Sequence, residues 1–94
     1  MEQIGKIIET ACSITGISLE EFNTKRTVSA VYARTLIYQY YMDKGLKHYE
    51  IAKIVGKSRS TVTYHLSRFA MMCKYDKDFK RIYDRFEQEV RNYK

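Results

Sequence analysis

The sequence contains no proline and no tryptophan, only four glycines and only two cysteines. So little turn chemistry excludes a strand-rich fold built on many tight reversals, and helices are the expectation. Cys12 and Cys73 are too few for a disulfide framework, and in a reducing cytoplasm both are expected to be thiols. No apolar run approaches the ~18 residues that cross a bilayer, so no membrane segment is expected. The opening Met1-Glu2-Gln3-Ile4-Gly5-Lys6 lacks the apolar core of a signal peptide, which makes the cytoplasm the expected location.

Chemistry-bearing constellations are equally scarce. No GxxxxGK[ST] loop is present to cradle a nucleotide's phosphates, which excludes an ATPase on this chain. His48, His65, Cys12 and Cys73 fall at no CxxC or HxxxH spacing, so neither a metal site nor a cofactor is expected. No Cys–His or Ser–His–Asp spacing and no glycine-framed nucleophile turn occurs, and an enzyme is not expected.

What is present is charge of one sign in one place. The 94 residues are 45% hydrophobic and 30% charged, enough for one folded domain spanning residues 1–94. Lys+Arg 17 against Asp+Glu 11 gives a net +6, and the pI is about 9.4, which points first to polyanionic partners. Residues 1–24 hold one Lys against four Glu, net −3, and residues 75–94 hold six Lys/Arg against five acids, net +1. Residues 25–74 hold ten Lys/Arg against Asp43 and Glu50, net +8. The positive excess is central.

Helical periodicity runs along the whole chain, and an all-α fold of about six helices is expected. Residues Glu2 to Thr15 place Ile4, Ile7, Ile8, Ala11 and Ile14 on one stripe, and Gly16 is suited to stop that helix. Ser18 with Glu21 forms a capping box before Leu19 and Phe22. A polar connector at residues 23–27 leads into a long helix, Val28 to Asp43, with Val31, Leu36, Tyr38 and Tyr41 as candidates for burial. Tyr40 belongs with these core tyrosines rather than with base-stacking ones. Gly45 ends that helix. The helix of Lys47 to Val55 turns Ile51, Ala52, Ile54 and Val55 inward and ends at Gly56. Another helix runs from Ser58 to about Lys74, and the last, capped by Asp76 or Asp78, carries Phe79, Ile82, Tyr83, Phe86 and Val90.

The stretch from Tyr49 to Leu66 has the spacing of a helix-turn-helix. Small Ala52 admits close crossing of the second helix, Gly56 takes the left-handed turn, and Val62 fills the angle between the two helices. Ser58 caps the second helix, whose free amides and dipole favour a phosphate. At about 100° per residue, Val62, Leu66, Phe69 and Cys73 form the buried stripe. Opposite lie Ser60, Tyr64, Ser67 and Met71, with Thr63 and Arg68 on the flanks. An outward face of Ser, Thr, Tyr and Arg, with no acid from Arg59 to Met71, suits base edges and phosphates in a major groove.

These residues resemble the C-terminal DNA-binding domain of the DnaA family, the bacterial chromosomal replication initiators. The family's signature is answered by Ile51-Ala52, Val55, Gly56, Lys57 and Ser58-Arg59-Ser60-Thr61-Val62. Upstream, Ile17-Ser18-Leu19-Glu20-Glu21-Phe22 is similar to the family's short helix before a basic loop, matched here by Lys25 and Arg26. Arg34 falls on the long helix where the family also has an arginine. The resemblance spans Ile7 to Tyr93. It implies a helical double-stranded DNA reader with Lys25, Arg26 and Arg34 at the backbone or minor groove. Two departures stand out: Ser58-Arg59 replaces the family's acidic-His pair, and Tyr32 replaces a second minor-groove arginine. The target site is therefore expected to differ. The family's ATPase module has no counterpart here.

The resulting expectation is a nucleoid-associated monomer. Arg59, Ser60, Thr61, Thr63 and Tyr64 face bases. Lys25, Arg26, Arg34, Lys47, Lys57, Ser58 and Arg68 serve phosphates or the minor groove. The competing expectation is a helical protein-interaction module that has exchanged DNA for a protein, using the acidic first helix and exposed aromatics such as Tyr32. No small-molecule substrate is expected under either reading.

Overall fold

The computed structural model describes residues 4–91. The expected first-helix residues Glu2 and Gln3, the side chain of Ile4, and Tyr93 lie outside the described residues. Six helices follow one another: α1 (Ile4–Thr15), α2 (Leu19–Thr24), α3 (Val28–Asp43), α4 (His48–Val55), α5 (Arg59–Tyr75) and α6 (Lys77–Val90). No strand occurs among the described residues. No helix there is long and apolar enough to cross a membrane.

Helix starts are set by side chains that satisfy the otherwise unpaired first amides. At α2 the Glu21 amide donates to Ser18 Oγ (3.1 Å) and the Ser18 amide donates back to Glu21 Oε1 (3.0 Å). Thr27 Oγ1 accepts from Ala30 at the start of α3, and Ser58 Oγ accepts from Thr61 (3.1 Å) at α5. Asp76, rather than Asp78, caps α6 by accepting from the Phe79 amide (3.1 Å). Between α4 and α5 the chain turns at Gly56, whose φ of +71° would cost a side-chain-bearing residue about 1–2 kcal/mol.

α3 is the centre of the molecule and touches each of the other five helices. Its residues 33–38 are all buried, and six consecutive buried positions go fully round a helix of 3.6 residues per turn. Leu36 and Tyr38 are buried as expected, Val31 and Tyr41 are half-buried, and Ala33, Thr35 and Ile37 join the core. Around α3 pack Ile7 and Ala11 of α1, Phe22 of α2, Ile51 and Ala52 of α4, Val62 of α5, and Phe79, Phe86 and Val90 of α6.

α5 is the most open of the long helices. Of its expected inner stripe only Val62 is fully buried, while Leu66, Phe69 and Cys73 are half-buried. The opposite face, Ser60, Tyr64, Ser67 and Met71, is exposed as the spacing predicts.

Tyr32 differs from its expectation as an exposed aromatic. It is half-buried, with its ring 5.2 Å from that of Phe79 and its hydroxyl donating to Asp76 Oδ2. The bond to the carboxylate, then burial, pushes the Tyr32 phenol up to about 12, while the same bond and the Phe79 amide hold Asp76 below the usual carboxylate range. One acid thus joins α3 to the cap of α6.

Candidate nucleic-acid interface

The connection between α2 and α3 carries Lys25 and Arg26, and its shape is held by Arg34. Arg34 Nε donates to the Phe22 carbonyl (3.0 Å), and Nη2 donates to the carbonyls of Phe22 (2.6 Å) and Lys25 (2.6 Å). The guanidinium also lies 5.8 Å from the Phe22 ring centre. With only 9% of its surface exposed, Arg34 has little of its side chain left open to a groove or a phosphate. It is a buried clamp that positions the basic loop, and only Nη1 is uncommitted.

Folding brings this loop against the start of α5 and leaves a cleft of about 610 Å³ between them. Arg26, Arg34 and Lys57 line it together with Ser60, Thr61 and Tyr64, and no acidic residue takes part. Lys25, Lys47, Arg59, Thr63 and Arg68 lie outside the cleft. Lys47 sits at the N-cap of α4, where its amide donates to Glu50 Oε1 (2.8 Å). Among the described residues, none of the seven basic candidates has a carboxylate within ion-pairing distance. The ion pairs seen there, Lys80–Asp84, Arg81–Asp78 and Arg85–Glu89, all lie within α6. The central positive charge is therefore unneutralised by the protein, which is costly in isolation and favourable next to a polyanion.

The α5 face divides by how its polar groups are already used. Among the described residues, the side chains of Arg59 and Ser60 are exposed and make no hydrogen bond within the protein. Thr61 is half-buried with its hydroxyl 2.9 Å from Ser58 Oγ. The Thr63 hydroxyl lies 2.8 Å from His48 Nδ1 and so ties α5 to α4. Tyr64 and Arg68 form a unit: Arg68 Nη1 donates to the Tyr64 hydroxyl (3.2 Å), and its guanidinium sits 5.5 Å from the ring centre. Arg59 and Ser60 are the groups most available to a ligand.

His65 is not a surface imidazole. It is half-buried between the rings of Tyr38 (5.4 Å) and Tyr64 (5.6 Å), and it lines the cleft. Burial, reinforced by the Arg34 and Arg68 cations, pushes its pKa below the ordinary 6.5. The unfolded chain thus binds the proton more readily than the folded one. The neutral ring contributes stability above the unfolded value of 6.5, and that contribution is lost as pH falls through the folded value. Thermal melts from about pH 7.5 to about pH 5 should show a larger fall in Tm for the wild type than for His65→Gln. Parallel falls would remove His65 from the acid sensitivity.

Both thiols are free, Cys12 buried and Cys73 half-buried, and burial pushes each above its ordinary range. Among the described residues, no three His, Cys, Asp or Glu side chains gather as a set of metal ligands. Comparison of the chain with known families, characterised proteins and solved structures found no match.

Proposed function

We propose that this domain binds double-stranded DNA as a helix-turn-helix, with α5 placed in the major groove, and performs no chemistry of its own. The observation that supports this most is the acid-free cationic cleft lying beside an exposed polar face at the start of α5. Affinity comes from Lys25, Arg26, Lys47, Lys57 and Arg68 at phosphates, with Ser58 presenting the α5 amides. Arg34 contributes chiefly by holding the loop of Lys25 and Arg26 in place. Selectivity comes from Arg59 and Ser60, flanked by Thr61, Thr63 and Tyr64. An arginine in that place suits the O6 and N7 acceptors of guanine. The likeness of residues 51–62 to the DnaA signature adds to this reading, with a target sequence changed by Ser58-Arg59 and Tyr32.

The test is fluorescence anisotropy with a mixed-sequence duplex of ~30 base pairs at about 50 and 200 mM salt. Several phosphate contacts should make the affinity fall steeply across that range. After selection of a preferred site, Arg59→Ala should cost about 1–3 kcal/mol there and relax base choice. Equal losses on every duplex would make Arg59 a phosphate ligand only.

No binding at the lower salt would favour the protein-interaction reading. That reading rests on Met71 and Tyr75, which are 64% and 70% exposed beside a groove at the α5–α6 junction.

A further inference from the structure

Arg34 poses a problem of charge. Its side chain is nine-tenths buried (9% exposed) and, among the described residues, has no carboxylate partner. A low-dielectric interior disfavours such a cation. The carbonyls of Phe22 and Lys25 solvate Nε and Nη2, but dipoles do not neutralise a charge. Nη1 makes no hydrogen bond to the described residues, and Arg34 forms part of the cleft wall. Exposed Arg26 and Lys57 line the same cleft, also without carboxylate partners. Ser60 brings an unengaged hydroxyl from the first turn of α5, a helix of 17 residues, where Ser58 Oγ already engages the Thr61 hydroxyl and amide and the Arg59 and Ser60 amides lack intrahelical acceptors. The donor set is all positive or hydrogen-bond donating, and no acidic side chain opposes it.

We infer that this cleft is a seat for one phosphate group, with Arg34 at its floor and Lys57 and Arg26 at its rim, rather than part of a diffuse positive surface. This rests on the DNA-binding reading only for the source of the phosphate, a phosphodiester of the duplex backbone. A free phosphate ion offers the same chemistry and is the other source. Arg34 then has two roles at once: two of its nitrogens shape the basic loop, and the third meets the group that the loop encloses.

The seat is tested by titrating inorganic phosphate into the full chain at constant ionic strength, following the His65 ring and the Ser60 and Thr61 amides by NMR. One saturable transition confined to the cleft is expected. Lys57→Ala and Arg26→Ala replace exposed side chains, so both should fold, and each should weaken phosphate by about tenfold or more. Lys53→Ala, exposed on α4, should leave it unchanged. Shifts that rise linearly across the whole basic surface, or equal affinity in the Lys57 and Arg26 variants, overturn the seat. Salt-dependent duplex binding by anisotropy would then leave the DNA reading standing without it. A short duplex without terminal phosphates should displace the bound ion. If phosphate binds as expected and the duplex neither binds nor competes, the seat holds a free phosphate and the DNA reading falls instead.

Discussion

Phe79→Ala should cost the domain about 3–5 kcal/mol, the usual range for truncating a buried aromatic ring. A folded chain of this size is stable by only about 5–14 kcal/mol, so one substitution removes a large share of the total. Phe79 is fully buried at the first turn of α6. Its ring lies 5.2 Å from Tyr32, 5.9 Å from Phe69 and 6.4 Å from Tyr83. These partners come from α3, α5 and α6, so the cavity has walls on three helices and cannot close by the shift of one. Urea unfolding should show the midpoint falling with little change in slope. A loss below about 1 kcal/mol would mean that the site collapses onto the gap and that the aromatic cluster is not an anchor.

Arg34→Met should have the second largest effect, and on two readouts. Methionine fills much of the same volume but strands the Phe22 and Lys25 carbonyls, which accept all of Arg34's hydrogen bonds. An orphaned buried acceptor costs about 1–3 kcal/mol. Removing an unpaired buried cation returns part of that cost. The Lys25 carbonyl is at an exposed residue and water can reach it, so the Phe22 carbonyl dominates and a net loss of about 2 kcal/mol is expected. Duplex affinity should fall by more than the loss of one positive charge implies, because the loop bearing Lys25 and Arg26 loses its clamp. Comparison with Lys57→Ala at equal salt separates the two contributions. Equal losses in both variants would show that Arg34 acts as a charge and not as a clamp.

Much of this was legible in the sequence because the signals were local. The capping box of Ser18 and Glu21, the turn at Gly56 and the stripe of Phe79, Phe86 and Val90 each depend on residues within a few positions of one another. The open face of α5 followed from angular spacing alone. α3 was less legible because a helix packed on every side has no single stripe, and the burial of Ala33 and Thr35 leaves no periodic mark. The burial of Arg34, Tyr32 and His65 is illegible in the sequence for a related reason. Each is polar enough to belong at the surface, and what draws it inward lies elsewhere in the chain: the Phe22 carbonyl, Asp76 and the Tyr38 ring respectively. The cleft joins Arg26 to Lys57, two residues that no short sequence window holds together.

The half-open packing of α5 has a consequence for how such a domain can change over generations. Val62 alone on that helix is locked wholly into the core, while Arg59, Ser60, Tyr64 and Ser67 touch solvent. Exchanges at exposed positions of this kind usually alter stability by no more than about 0.5 kcal/mol. That exposed face is thus free to drift while the scaffold around α3 stays as it is. A single fold of this design can acquire new addresses one side chain at a time, without passing through an unfolded ancestor.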